Sequence, residues 1–368
     1  MIRGRSGTVL MVALALAAAT LVGCAHRAGE IFPAIENPPT WPAPPDPPRI
    51  RYVGQISTAA DLKASRDLGQ AIGDTLFGKQ PQPGLLTPYA VCTDGGNRLF
   101  VADSSGQVVH EIDLARRKWT RLAPANAGKR FGSAVGIAFD PSGDGRLFVA
   151  DSADRCIYVF KGDRTPAGSI AGEFFVRPVG LAYDAPRQRL LVVDAGAHQL
   201  LALTPDGRLI GRTGARGTGA GEFNFPTNVA VDSAGRVYVS DSLNFRIQQF
   251  DANLTPLRVI GQKGDMPGYF AQPKGVSVDA DDHLYVVDAN FETVQIFDAE
   301  GRLMLNFGEE GRDPGEFWLP AGIYVDRMNN RIWVADSYNR RVQVFEYIPD
   351  STGATTQPVA PPPEEARQ

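Results

Sequence analysis

Cysteine and histidine are scarce, with three and four residues respectively in a chain of 368. That excludes a disulfide framework and leaves little material for a metal centre, since a catalytic ion needs about three protein ligands. Cys92 and Cys156 fall on strands at different radii of the repeat described below, so two buried free thiols are expected rather than a bridge. Nor is there an excess of one charge. The formal charge is −4 and the basic residues are scattered, so the electrostatic footprint of a nucleic-acid binder is missing. The apolar run Thr8 to Ala19 is too short and wrongly flanked for a stable membrane-spanning helix.

That run does fit a secretory signal peptide, with Arg3 and Arg5 before it and small residues after it. Leu21-Val22-Gly23-Cys24 resembles a bacterial lipobox, which implies removal of residues 1–23 and acylation of Cys24, and several acyl chains on one cysteine anchor stably. Ala25 follows in place of Asp, which by resemblance to known sorting rules implies the periplasmic face of the outer membrane. The Pro-rich residues 24–48 are expected to be an extended tether that neither packs a core nor forms a ladder. Residues 349–368 are expected to be a disordered tail. A single large all-β domain is left over 49–348.

Within it one phrase returns six times, as LFVADSSGQVVHEID ending at Asp113, VYVSDSLNFRIQQFD ending at Asp251 and IWVADSYNRRVQVFE ending at Glu346 illustrate. Its aspartates, Asp103, Asp151, Asp194, Asp241, Asp288 and Asp336, are spaced by 48, 43, 47, 47 and 48 residues. A period in that range signals a solenoid, propeller or array. Each copy follows a short apolar run opened by Pro or Ala, such as PTNVAVD at Pro226, and a further short run, such as LRVIGQ at Leu257, comes after it. Four short antiparallel strands per unit with no helical period between them predict a six-bladed β-propeller.

The sixth unit has only three strands before the chain turns polar at Pro349. The run Arg49 to Ile56 has no unit of its own and is the candidate for the missing outer strand beside Arg341 to Tyr347, which would remove an open edge. After it, Thr58 and Asp61 form a capping-box pattern, and Leu62, Leu68, Ile72 and Leu76 recur at helical steps. A helix over about 58–78, lying across a face of the ring, is expected.

Gly214 to Asp251 resembles an NHL repeat: a Gly-rich loop, Phe, Pro, a V-A-V-D strand, a V-Y-V-x-D strand and N-x-R-I-Q-x-F. The units at Pro273 and Pro320 resemble it nearly as well, and the first three keep only the strand pattern. The resemblance implies the same six-bladed propeller. Relatives of this kind include lyases, RNA and protein binders and sensor domains, so no activity follows from the fold.

The recurring aspartates read as structural, each capping its turn by accepting backbone N–H bonds, and not as a carboxylate ring for cations. Arg246 and Arg341 are expected to pair with them or to brace the next blade. In the aligned first strands the second column is Ala90, Gly136, Gly180, Asn228, Gly275 and Gly322, as crowding at the axis would require. No metal and no cofactor are expected, because no His, Glu or Asp occupies the axial columns. His110, His198 and His283 fall on hairpins or turns. The incoming loops carry Phe131, Arg177, Phe225, Gln272 and Leu319, of which Phe131 and Phe225 are expected to wedge into the core. The polar groups Tyr89, Asn228 and Lys274 at the axial mouth are the candidate ligand-binding residues. Two functions remain open: a binding or scaffold propeller for an envelope protein, peptide or glycan, and a lactonase- or amidating-lyase-like hydrolase or lyase.

Overall fold

The computed structural model describes residues 30–63, 82–124, 129–143 and 145–349. Two compact units separate, Met1–Pro33 with Lys63–Gln80 and Ala34–Leu62 with Pro81–Gln368. Only residues 30–33 and Lys63 of the first are described, and the second is the subject here. Cys24, residues 64–78 of the expected helix and the tail from 350 onward lie outside the described residues. Ahead of them Ala59–Leu62 is one 3-10 turn, and Asp61 Oδ2 accepts N–H bonds from Ser57 at 2.7 Å and Thr58 at 2.8 Å.

The alternating runs form six antiparallel sheets, the first five meandering outward in chain order. The first blade is Pro88–Thr93, Arg98–Asp103, Val108–Asp113 and Lys118–Leu122. The innermost strands of the others are Ala134–Asp140, Pro178–Asp184, Pro226–Val231, Pro273–Val278 and Ile323–Asp326. Second strands such as Leu284–Asp288 are buried along their whole length, since neighbouring blades cover both faces of the sheet. The fourth strand Pro256–Ile260 is exposed except at Ile260.

In the sixth blade Ile50–Ile56 pairs antiparallel with Arg341–Tyr347, from Ile50 opposite Tyr347 to Ile56 opposite Val342. Thr40–Trp41 then adds a fifth strand, with Thr40 opposite Arg51 and Trp41 opposite Ile50. This corrects the expectation that residues 24–48 form no ladder. The cause is Trp41, whose ring lies 5.7 Å from Phe307 and 5.9 Å from Phe345, and an outermost strand can carry prolines because its free edge needs no N–H donors.

The core lies between blades rather than at the axis. One cluster joins Val109 and Phe100 of the first blade to Ile137 and Phe160 of the second, and four more join the second to the third, the third to the fourth, the fourth to the fifth and the fifth to the sixth. A column three residues ahead of Pro88, Ala134, Pro178, Pro226, Pro273 and Pro320, namely Leu85, Phe131, Phe175, Phe223, Phe270 and Phe317, is buried throughout. At the axis the first strands nearly touch. A Cβ on Gly136 would stand 2.1 Å from Val179 O, one on Gly275 2.5 Å from Ala321 O, and one on Gly322 2.5 Å from Tyr89 O. Only glycine permits that approach.

Candidate functional site

The recurring aspartates are buried on one face of the ring, where the turns between second and third strands meet the loops that lead into the first strands. In the first blade Asp103 accepts from Leu86 and Thr87 N–H of the incoming loop at 2.6 and 3.0 Å, and from Gly106 of its own turn at 2.8 Å. Asp151, Asp194 and Asp288 repeat this bridge. Asp241 and Asp336 take one N–H from the incoming loop and give the other oxygen to side chains: Arg246 Nε at 2.8 Å and Asn244 at 2.8 Å, and Arg341 Nε at 2.7 Å and Asn339 at 2.9 Å. Burial pushes the Asp103 carboxyl up, but the contact with His110 and the backbone N–H bonds outweigh it and hold the group below its ordinary value. For Asp288 burial wins over four backbone N–H bonds, and its pKa is raised.

The residue four positions beyond each aspartate, Gln107, Arg155, His198, Phe245, Glu292 or Arg340, has φ between 52 and 56°. None is glycine, so six left-handed turn residues project from this face at some conformational cost. Three reach the next blade: Gln107 Nε2 donates to Gly132 O at 3.4 Å, while Phe225 N–H donates to His198 Nδ1 and Leu319 N–H to Glu292 Oε1, both at 3.2 Å. Of these, sequence reading named only His198, as a turn residue, and their fixed offset from the aspartate is the signal that could have found the rest. His110 is also buried, with Nε2 3.4 Å from Asp103 and Nδ1 accepting from Trp119 at 2.8 Å.

The expectation that Phe131 and Phe225 are both core holds for Phe131 alone, which is 1% exposed. Phe225 is 37% exposed, because it sits one residue before its strand with φ 48° while Phe223 fills the core place. Leu86, Val176, Leu243 and Tyr338 are exposed on the same face, at 51, 51, 44 and 56%.

Tyr89 and Lys274 occupy β-bulges that follow the opening proline of their strands, a place that re-aims a side chain. Both are half-buried. Burial raises the Tyr89 phenol, with Arg177 working against it. Burial likewise lowers the Lys274 ammonium, opposed by Asp288, and among the described residues Lys274 makes no ion pair. Asn228 sits in the glycine column, and its Oδ1 accepts from Val229 N–H at 2.8 Å.

Beyond that column a cavity of about 510 Å³ runs along the axis to the opposite face. It includes Asn228 but neither Tyr89 nor Lys274 in its wall, so the three candidates are not gathered into one pocket. Cys92, a free thiol raised by burial, also lines it.

An NHL repeat family model matches residues 223–250, and a family described as 6-bladed beta-propeller matches 270–352. The chain is a six-bladed β-propeller with an NHL repeat at residues 223–250. The human NHL repeat-containing protein 3 is 46% identical over 54 residues, 15% of this chain. That match spans 16% of the relative's length. Among solved structures, virginiamycin B lyase from Staphylococcus aureus is similar with a TM-score of 0.52 at 14% identity, covering 72% of this chain and 96% of that one. An auxiliary nutrient binding protein from Bacteroides thetaiotaomicron has a TM-score of 0.57 at 14% identity, covering 72% and 70%. At such identities the likeness is one of fold alone.

Proposed function

We propose that this NHL propeller is a lipid-anchored binding protein of the cell envelope, held through Cys24, whose turn-bearing face recognises a protein, peptide or glycan partner. One observation carries the reading. Leu86, Val176, Phe225, Leu243 and Tyr338 are all exposed on that face, which also carries the half-buried cation of Lys274, and apolar exposure with a few polar groups marks a recognition surface. A hydrolase or lyase of lactonase or amidating-lyase type is the competing reading, and no side-chain arrangement among the described residues favours it. Photo-crosslinking residues placed at Leu243 or Tyr338 should each capture one and the same discrete partner in intact cells. Crosslinks from neither position, or only from Met328 on the opposite face, would overturn the proposal. The anchor is tested separately, since Cys24→Ser should abolish fatty-acid labelling of the chain.

A further inference from the structure

The axial cavity ends on the face away from the aspartate turns, and a single guanidinium lies across that end. Arg327 opens the turn after the sixth innermost strand. Its Nε donates to Val278 O at 3.0 Å on the fifth blade and its Nη2 to Val231 O at 2.5 Å on the fourth. The side chain therefore reaches over two neighbouring strands at the mouth of the cavity it lines. Both acceptors are neutral carbonyls. A guanidinium has five N–H donors, so with two used here, three stay available to a ligand.

The two carboxylates that line the cavity are committed elsewhere, and Asp232 and Asp279, which follow the two acceptor residues, pair with Arg236 and with His283 and Tyr285. Asp326 accepts from Thr93 Oγ1, Met328 N–H and Asn329 Nδ2. Asp94 accepts from Gly96 and Arg98 N–H and lies 3.8 Å from Arg98 Nε. Deeper in, each blade contributes one buried aliphatic side chain at the same strand position: Val91, Ile137, Leu181, Val229, Val276 and Ile323. Among the polar wall groups, Ser277 Oγ accepts from Val325 N–H at 2.9 Å and Asn228 Oδ1 from Val229 N–H.

The geometry points to a binding site for a small amphipathic anion, an aliphatic or aromatic carboxylate whose apolar body fills the six-residue ring and whose head pairs with Arg327. A cavity of this size suits one such molecule. A charged head would add hydrogen bonds to a guanidinium already preorganised by its two carbonyls, and the apolar body would gain from leaving water. The site is separate from the turn-bearing face, and its test does not depend on the partner proposed there.

Calorimetric titration of the full chain with octanoate, octylamine and octanol separates charge from hydrophobicity, because the three share one apolar body. Octanoate should bind one to one, and octylamine about tenfold or more weaker. Arg327→Met, which keeps an apolar stem at an exposed position, should lose about tenfold in octanoate affinity while binding octanol as the native chain does. A variant that had lost the cavity itself would lose octanol too. The inference is overturned if octanoate shows no saturable binding, if octylamine binds as well or better, or if Arg327→Met keeps the full preference for the acid.

Discussion

Arg341 uses every donor it has. Nε reaches Asp336 at 2.7 Å, Nη1 reaches Gln55 Oε1 and Arg312 O at 2.8 Å each, and Nη2 reaches Asp313 O at 3.1 Å and Glu316 O at 2.7 Å. A lysine offers a point charge and cannot reproduce that fork. Arg341→Ala would leave Asp336, already pushed up by burial, without its cation, at a cost of about 3–5 kcal/mol. Arg246 makes the matching contact with Asp241 and bonds to Gly219 O and Glu222 O of its incoming loop, but among the described residues it has no counterpart of the Gln55 bond that Arg341 makes to the N-terminal strand, so Arg246→Ala should cost less. Urea titration of the two variants measures the difference, and equal losses would count against it. His283 gives a pH-dependent counterpart. Burial works against its cation, but Asp279 at 2.9 Å, with Asp281 and Asp298 beyond, outweighs burial and raises the imidazole above 6.5. A raised folded-state pKa means that the stabilisation is fully present below the unfolded value and is lost as pH rises through the folded one. Stability should therefore fall as pH climbs above about 6.5, and His283→Gln should flatten that limb in thermal melts taken across the range. An unchanged slope in the variant would refute the assignment.

Among the elements, the strand Ile50–Ile56 has the largest consequence for closure, since Ile50 and Ile56 are fully buried and the Tyr52 ring packs 5.6 Å from Phe345. Deleting residues 49–56 should expose the edge of Arg341–Tyr347, lower the melting temperature and promote self-association. Hydrogen exchange at the 341–347 amides reads this directly, and unchanged protection would show that another segment covers that edge. Period, blade number and inner-strand positions were legible in the sequence because a buried sheet repeats its apolar alternation and its turn aspartate with little tolerance. The ladder at Thr40–Trp41 was not legible, because the seven prolines between Asn37 and Arg49 suppress every strand signal and only the packing of Trp41 overrides them. Phe131 and Phe225 look alike in sequence, but they stand three residues and one residue before their strands, and a left-handed backbone at Phe225 turns the second outward. Of the candidate site, the column alignment exposes Tyr89, Asn228 and Lys274. Nothing in it marks Arg327, whose role depends on a side chain crossing two blades that no local pattern encodes.

Over the whole molecule the net charge is −4, and among the described residues each end of the axis carries a cation that makes no ion pair: Lys274 on the turn-bearing face and Arg327 on the other. The two are held differently. Arg327 is exposed and rests on carbonyls, whereas burial lowers Lys274 and only the more distant Asp288 opposes the shift. A base whose folded-state pKa lies below its unfolded one binds its proton less tightly when folded, so its charge opposes folding below the unfolded value near 10.5. At neutral pH the ring thus tolerates a destabilising charge on its turn-bearing face, a pattern expected where function and stability conflict. Lys274→Met keeps the apolar stem and removes that charge. The variant should melt slightly higher than the native chain at pH 7, with the gain shrinking as pH approaches 10, while retention of the partner crosslinked through Leu243 should drop. A variant that melted lower would show the ammonium to be a structural group after all, and one that melted higher but kept the partner would place the recognition elsewhere on that face.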